Sequence, residues 1–186
     1  METKITNSRL FIAAWPDKNM QNALVKYMGA CNQTIQGARW TEAANLHCTI
    51  AYLGDEKADS ADDILRRMKS ALEFIGPISI RWNGPGTFIK KETTVIWMGL
   101  EESPTLLEIA ANIRSEFSEL IDEKSFRPHI TFGRTKRPIK MPISKAFPAW
   151  RPLSCTVDRI DLVASELTPQ GPKYTILKSH TLGSDW

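Results

Sequence analysis

Two stretches of the chain, Leu46-His47-Cys48-Thr49-Ile50 and Pro128-His129-Ile130-Thr131-Phe132, repeat one pattern 82 positions apart. Each is a short apolar run interrupted by alternating polar residues, and an extended backbone sends successive side chains to opposite faces. His47 and Thr49 therefore share one face, as do His129 and Thr131. Cys48, Ile50, Ile130 and Phe132 take the other. A chain with two such strands must bury one face of each in a core while keeping an imidazole and a hydroxyl together on the opposite face. Two packed α+β lobes with their histidine strands facing a shared cleft meet that demand.

The rest of the sequence alternates strands and helices by its apolar periodicity. Strands are predicted over 10–15, 46–53, 78–82, 93–100, 128–132, 155–164 and 173–181. Asp17 is the expected cap of a first helix with Met20, Leu24, Tyr27, Met28 and Cys31 on one face. A second helix is expected to start at Ser60 with Asp63 three residues on, to carry Ile64, Leu65, Met68, Leu72 and Ile75, and to stop at Gly76-Pro77. A third opens with Ser103 as cap and Pro104 at the first helical position, then runs through Leu106, Ile109, Ile113, Phe117 and Leu120. Asn83-Gly84-Pro85-Gly86 predicts a turn, and the proline-punctuated stretch 137–152 an irregular loop. The acidic run 55–63 lacks the glycine and terminal Glu of a calcium loop and is read as solvated. No linker divides the chain, so residues 1–186 are expected to form a single domain of two intertwined lobes.

Of the 186 residues, 42% are hydrophobic and the net charge is +3. That balance excludes intrinsic disorder, and no apolar segment approaches the roughly 20 residues of a membrane span. The stretch 10–15 is too short for a secretory leader, so a cytoplasmic protein is expected. Cys31, Cys48 and Cys155 are odd in number and far apart, which leaves no closed disulfide set and fits a reducing compartment. His47, His129 and His180 lack zinc-type spacing, and no metal or cofactor is expected. From Lys124 to Arg151 the chain holds eight basic residues and no acid, a +8 segment set against −5 elsewhere. Such a segment is either a phosphate footprint or a solvated basic loop.

Either histidine alone is most simply a half-buried residue bonded to a carbonyl. As a pair, with Arg134 and the basic segment beside the second, they suit general acid-base displacement at phosphorus. At neutral pH one imidazole accepts a proton while its partner, raised by a bound phosphate, donates one. Threonine hydroxyls beside them hydrogen-bond the non-bridging phosphate oxygens.

The two tetrapeptides resemble the paired H-x-T-x motifs of the two-histidine (2H) phosphoesterase superfamily. The surroundings Ser8-Arg9-Leu10-Phe11-Ile12-Ala13, Asn45-Leu46-His47, Tyr52-Leu53-Gly54, Phe126-Arg127-Pro128-His129 and Gly171-Pro172-Lys173-Tyr174 are similar to those of the LigT-like RNA 2′,3′-cyclic phosphodiesterases, also called the 2′-5′ RNA ligase family. The resemblance implies a bilobal α+β fold with pseudo-twofold symmetry, two antiparallel sheets flanking a central cleft and helices on the outside. It implies hydrolysis of a ribose 2′,3′-cyclic phosphate to a 2′-phosphomonoester, with His129 as proton acceptor for water and His47 as proton donor to the 3′ oxygen. Thr49 and Thr131 would hold the phosphate. Arg134 and Tyr52, each five positions after a histidine, would contact phosphate or the terminal base. That odd offset puts them on the wrong face unless the strand ends or bulges, which Gly133 permits for Arg134 and no glycine permits for Tyr52.

The implied partner is RNA with a 2′,3′-cyclic phosphate end, or a cyclic nucleotide, bound by a monomer without a membrane. Ligation through a 2′-5′ bond is the implied reverse reaction. Other readings are a phosphodiesterase for ADP-ribose 1″,2″-cyclic phosphate or 2′-5′ oligoadenylate, and a non-catalytic RNA-end binding module. Cys48, where relatives often carry a larger aliphatic residue, is expected in the core. His180 is expected at the surface or a strand end. The tryptophans are expected in core and inter-lobe packing, with one free to line the cleft rim.

Overall fold

The stretch 10–15 is apolar on both faces, and the strand it forms is covered on both. Leu10, Phe11, Ile12, Ala13 and Ala14 are all buried. This strand is β1 (Ser8–Ala14) of a computed structural model that describes residues 8–56, 60–121, 125–169 and 171–184. Part of the acidic run 55–63, together with Lys124 and Trp186, lies outside the described residues. The chain continues through α1 (Lys18–Cys31), β2 (Arg39–Trp40), a short 3-10 turn (Ala43–Asn45), β3 (Cys48–Glu56) and α2 (Ala61–Ala71). Then come β4 (Ile78–Lys90), β5 (Thr93–Leu100), α3 (Pro104–Glu116), β6 (His129–Thr135) and α4 (Ile143–Ala146). It closes with β7 (Ser154–Val157), β8 (Arg159–Thr168) and β9 (Gly171–Thr181).

The strands form one antiparallel path in the order β7-β4-β5-β6-β3-β1-β8-β9, with β2 paired to β6. Its centre is thin. β3 and β6 are joined by the single pair Cys48 with Ile130, whereas long ladders run within the halves β7-β4-β5-β6 and β3-β1-β8-β9. The two expected sheets are these two halves, meeting at one residue pair with the histidine strands innermost.

The helices follow their stripes. α1 buries Met20, Leu24, Tyr27, Met28 and Cys31, and Asp17 accepts a hydrogen bond from the Met20 amide at 2.7 Å. α3 starts on Ser103, whose Oγ accepts from the Leu106 amide. Their placement ties the halves together: α1, launched from β1, packs against β6 and β7 of the other half, while α3, launched from β5, packs against β3. Most buried apolar side chains fall in one continuous core.

Several expectations are corrected. α2 does start directly after Ser60, which stands at its N-cap position, but with helical rather than the usual extended backbone angles. Asn83-Gly84-Pro85-Gly86 does not reverse the chain but lies inside β4 as a bulge. Its glycines make room for tryptophans: a Cβ would come 2.9 Å from the Trp150 ring at Gly84, where φ is +95°, and 2.3 Å from the Trp97 ring at Gly86. The strand expected over 155–164 is two, because the chain crosses at Asp158 from pairing with β4 to pairing with β1. The stretch 137–152 holds the short α4. His180 is near the end of β9 as expected, yet it is buried rather than at the surface.

Candidate active site

The pair Cys48 with Ile130 that joins the halves also sets the site. His129 opens β6, and His47 is the residue immediately before β3. Both Cys48 and Ile130 are fully buried behind the sheet, so their neighbours His47, Thr49, His129 and Thr131 turn to the opposite face. All four line one cavity of about 640 Å³ at the seam between the halves. Cys48 is a core thiol, and burial pushes it up to about 12.

Each imidazole is held from behind by its own chain. Nδ1 of His47 donates to the Asn45 carbonyl at 2.7 Å, and Nδ1 of His129 donates to the Arg127 carbonyl at 2.6 Å. The carbonyl bond expected of an ordinary half-buried histidine is thus present twice, at the same offset of two residues. A carbonyl only accepts, so each Nδ1 carries the proton and each neutral ring keeps the lone pair of Nε2 for the cavity.

Aromatic rings surround both. Phe11 stacks on His47 with centroids 4.9 Å apart, and Trp15 and Tyr174 approach at 5.0 and 5.2 Å. Phe88 meets His129 edge-on at 5.2 Å, with Trp97 at 6.1 Å. Burial pushes His47 down to about 4, against the opposing pull of its carbonyl bond, and the charges of His129 and Arg134 lower it further. His129 is lowered by burial and by Arg134. Both shifts favour the neutral form of the rings. An anion between them would reverse the Arg134 effect and let one ring hold a second proton.

Tyr52 and Arg134 also line the cavity, and equivalent β-bulges explain how an odd offset returns to the cleft face. In β3 the register with β1 slips between Thr49 and Ala51, leaving Ile50 as the extra residue. In β6 the register with β5 slips between Thr131 and Gly133, leaving Phe132 extra. Each bulge falls three residues after its histidine. The second has its glycine: a Cβ on Gly133 would lie 2.7 Å from the Trp40 ring. The first forms without one.

The cleft has further walls that sequence reasoning did not assign. Arg39 and Trp40 of β2 line it, and Trp40 stacks parallel to Phe132 with centroids 6.0 Å apart. Trp40 is thus the tryptophan at the rim. Lys173 and Tyr174 of β9 complete the opposite side. The run Gly171-Pro172-Lys173-Tyr174 was a visible signal for that wall. β2 has only two residues and offers no periodicity to read. Among the described residues no group of three or more His, Cys, Asp or Glu side chains is placed to hold a metal ion, and no helix is long and apolar enough to cross a membrane.

The 2′-5′ RNA ligase superfamily is described by a sequence model that matches residues 36–168. The protein belongs to this superfamily. The match takes in both His-x-Thr motifs and both bulges. Among its relatives, a Thermus thermophilus protein named RNA 2′,3′-cyclic phosphodiesterase is 29% identical over 94% of this chain and 90% of its own length. A Thermotoga maritima protein of the same name is 31% identical over 76% and 78%. The fold of this superfamily member matches the crystal structure of E. coli LigT complexed with 3′-AMP, with a TM-score of 0.79 over 96% of this chain and 99% of LigT at 22% identity.

Proposed function

We propose that the protein hydrolyses RNA 2′,3′-cyclic phosphodiester ends to 2′-phosphomonoesters by metal-independent acid-base catalysis. The observation that carries this reading is the pair of histidines, each anchored through Nδ1 to a carbonyl two residues back, with a threonine beside each on one cavity wall. The relatives' shared name supports the same substrate. With the cyclic phosphate between the rings, His129 takes a proton from water as its oxygen attacks phosphorus. The bond from phosphorus to O3′ breaks, and O3′ leaves with the proton of His47. Thr49 and Thr131 donate to the non-bridging oxygens, while Arg134 and Tyr52 hold the phosphate or the terminal base. A ribose 5′-hydroxyl in place of water would give a 2′-5′ bond.

Both histidines come from one chain, which favours a monomer acting as one domain of two intertwined lobes. Three buried free thiols suit a reducing cytoplasm.

The test is turnover of a nucleoside 2′,3′-cyclic phosphate in EDTA with the product identified by NMR. Hydrolysis to the 2′-phosphate is expected. A 3′-phosphate product overturns the leaving-group assignment, and activity lost in EDTA overturns the metal-independent chemistry. Turnover confined to ADP-ribose 1″,2″-cyclic phosphate or 2′-5′ oligoadenylate moves the protein to another substrate. End binding without turnover makes it a binding module.

A further inference from the structure

A second cavity, of about 680 Å³, opens on the far side of Arg39 and Arg134. These two arginines pair in register across β2 and β6, and they line both cavities, so they form a shared wall between them. Beyond the wall the second cavity is bounded by Lys136 and Arg137, which are exposed, and by Gln36. Its described lining contains four cations and no carboxylate.

The backbone that carries Lys136 and Arg137 is fixed from below. Thr94, fully buried on β5, donates from Oγ1 to the Arg137 carbonyl at 3.3 Å and accepts from the Ile139 amide at 3.2 Å. Thr135, also buried, donates to the same Arg137 carbonyl. Here two buried hydroxyls hold the turn after β6 that carries Lys136 and Arg137 into the lining of the second cavity.

We propose that the second cavity is the path of the RNA strand leading into the active site, with Lys136 and Arg137 taking phosphates on the 5′ side of the reacting end. The inference deepens the proposed function and rests on it for the direction of the strand. Cations spaced along a groove neutralise successive phosphates, and guanidinium planes offer stacking surface to unpaired bases. On this reading a mononucleoside cyclic phosphate occupies the first cavity, up to the shared wall of Arg39 and Arg134. The protein is therefore expected to prefer a strand to a mononucleotide, with Lys136 and Arg137 responsible for the difference.

The experiment compares wild type with Lys136→Ala/Arg137→Ala and with the charge reversal Lys136→Glu/Arg137→Glu. Two readouts are taken: kcat/KM on a uridine 2′,3′-cyclic phosphate and on a hexauridylate with the same end, and equilibrium binding of a hexauridylate with a 3′-hydroxyl at 50 to 200 mM salt. Two lost phosphate contacts take about 1.4 off the slope of log affinity against log salt for a single strand. Over that fourfold salt range the wild-type complex should thus weaken about sevenfold more than the double alanine variant. Mononucleotide turnover should stay within twofold of wild type, which also certifies the fold. An unchanged salt slope together with an unchanged strand-to-mononucleotide ratio overturns the proposed path while leaving the hydrolase standing. A reduced slope in a protein that turns over neither substrate supports the RNA path and defeats the hydrolase reading instead.

Discussion

His47 sits within 4.9 to 5.2 Å, centroid to centroid, of Phe11, Trp15 and Tyr174, whereas His129 is flanked by Phe88 at 5.2 Å and Trp97 at 6.1 Å. The two share everything the backbone supplies: a carbonyl bond at the same offset, a threonine two residues on, and a bulge three residues on. They differ in what distant strands bring to them. Phe11 and Tyr174 come from β1 and β9, and Trp97 and Phe88 from β5 and β4. Five residues after the histidine, one half offers Tyr52 and the other Arg134. The backbone thus builds one His-x-Thr unit twice, and the surrounding side chains make the two copies unequal.

Under the proposed roles the largest effect is on the rate. His47→Ala and His129→Ala should each lower kcat/KM by about 10²- to 10⁴-fold. A substrate with sulfur in place of O3′ separates the halves, because a thiolate leaves without being protonated. It should restore most of the activity of His47→Ala and little of that of His129→Ala. Equal rescue of both variants would erase the division of labour between the two halves.

Stability against pH tests the same inequality without turnover. An unfolded histidine titrates near 6.5, while burial holds folded His47 at about 4. Between those values the unfolded chain binds more protons, so stability rises with pH through this window and is lost as pH falls from about 6.5 to 4. For His47 the loss is at most about 3 kcal/mol, and the lowered His129 adds in the same direction. Urea unfolding at pH 7 and pH 4.5 should show it, with a smaller pH dependence in His47→Gln than in wild type. A His47→Gln profile that parallels wild type would place the burial cost elsewhere.

How far the sequence discloses this site depends on the range of the interaction. Alternation within five residues is local, so His47, Thr49, His129 and Thr131 were legible before any fold was known. Caps and stripes are local too, hence α1 and α3 and their buried faces. A bulge is a mismatch between two strands, and neither strand states it alone. For that reason the positions of Tyr52 and Arg134 stayed open until β1 and β5 were seen beside them. The Asn83-Gly84-Pro85-Gly86 run misled for a related reason. Its residues have turn chemistry, but Trp97 and Trp150, which occupy the space left by Gly86 and Gly84, are 11 and 66 positions away. The aromatic surroundings of His47 were equally hidden, because they join residues 11, 15 and 174.

Tyr52 and Arg134 give the smallest effects and the finest comparison, because they occupy equivalent positions with unlike chemistry. Arg134 lowers both histidines, so Arg134→Ala should move the acid limb of the pH profile upward as well as raise KM. Loss of a charged hydrogen bond to phosphate costs roughly 1.5 to 3 kcal/mol, or about 10- to 100-fold. Arg134→Lys keeps the charge without the planar fork, and it should restore the pH limb while leaving much of the KM defect. Tyr52 is half exposed and presents its ring at the cleft edge, where it can stack on a base. Tyr52→Phe should therefore be nearly silent, and Tyr52→Ala should raise KM by about tenfold or less with the pH profile unmoved. A pH shift in Tyr52→Ala would mean that the tyrosine helps set the charge of the histidines, and the two bulges would then carry the same function rather than different ones.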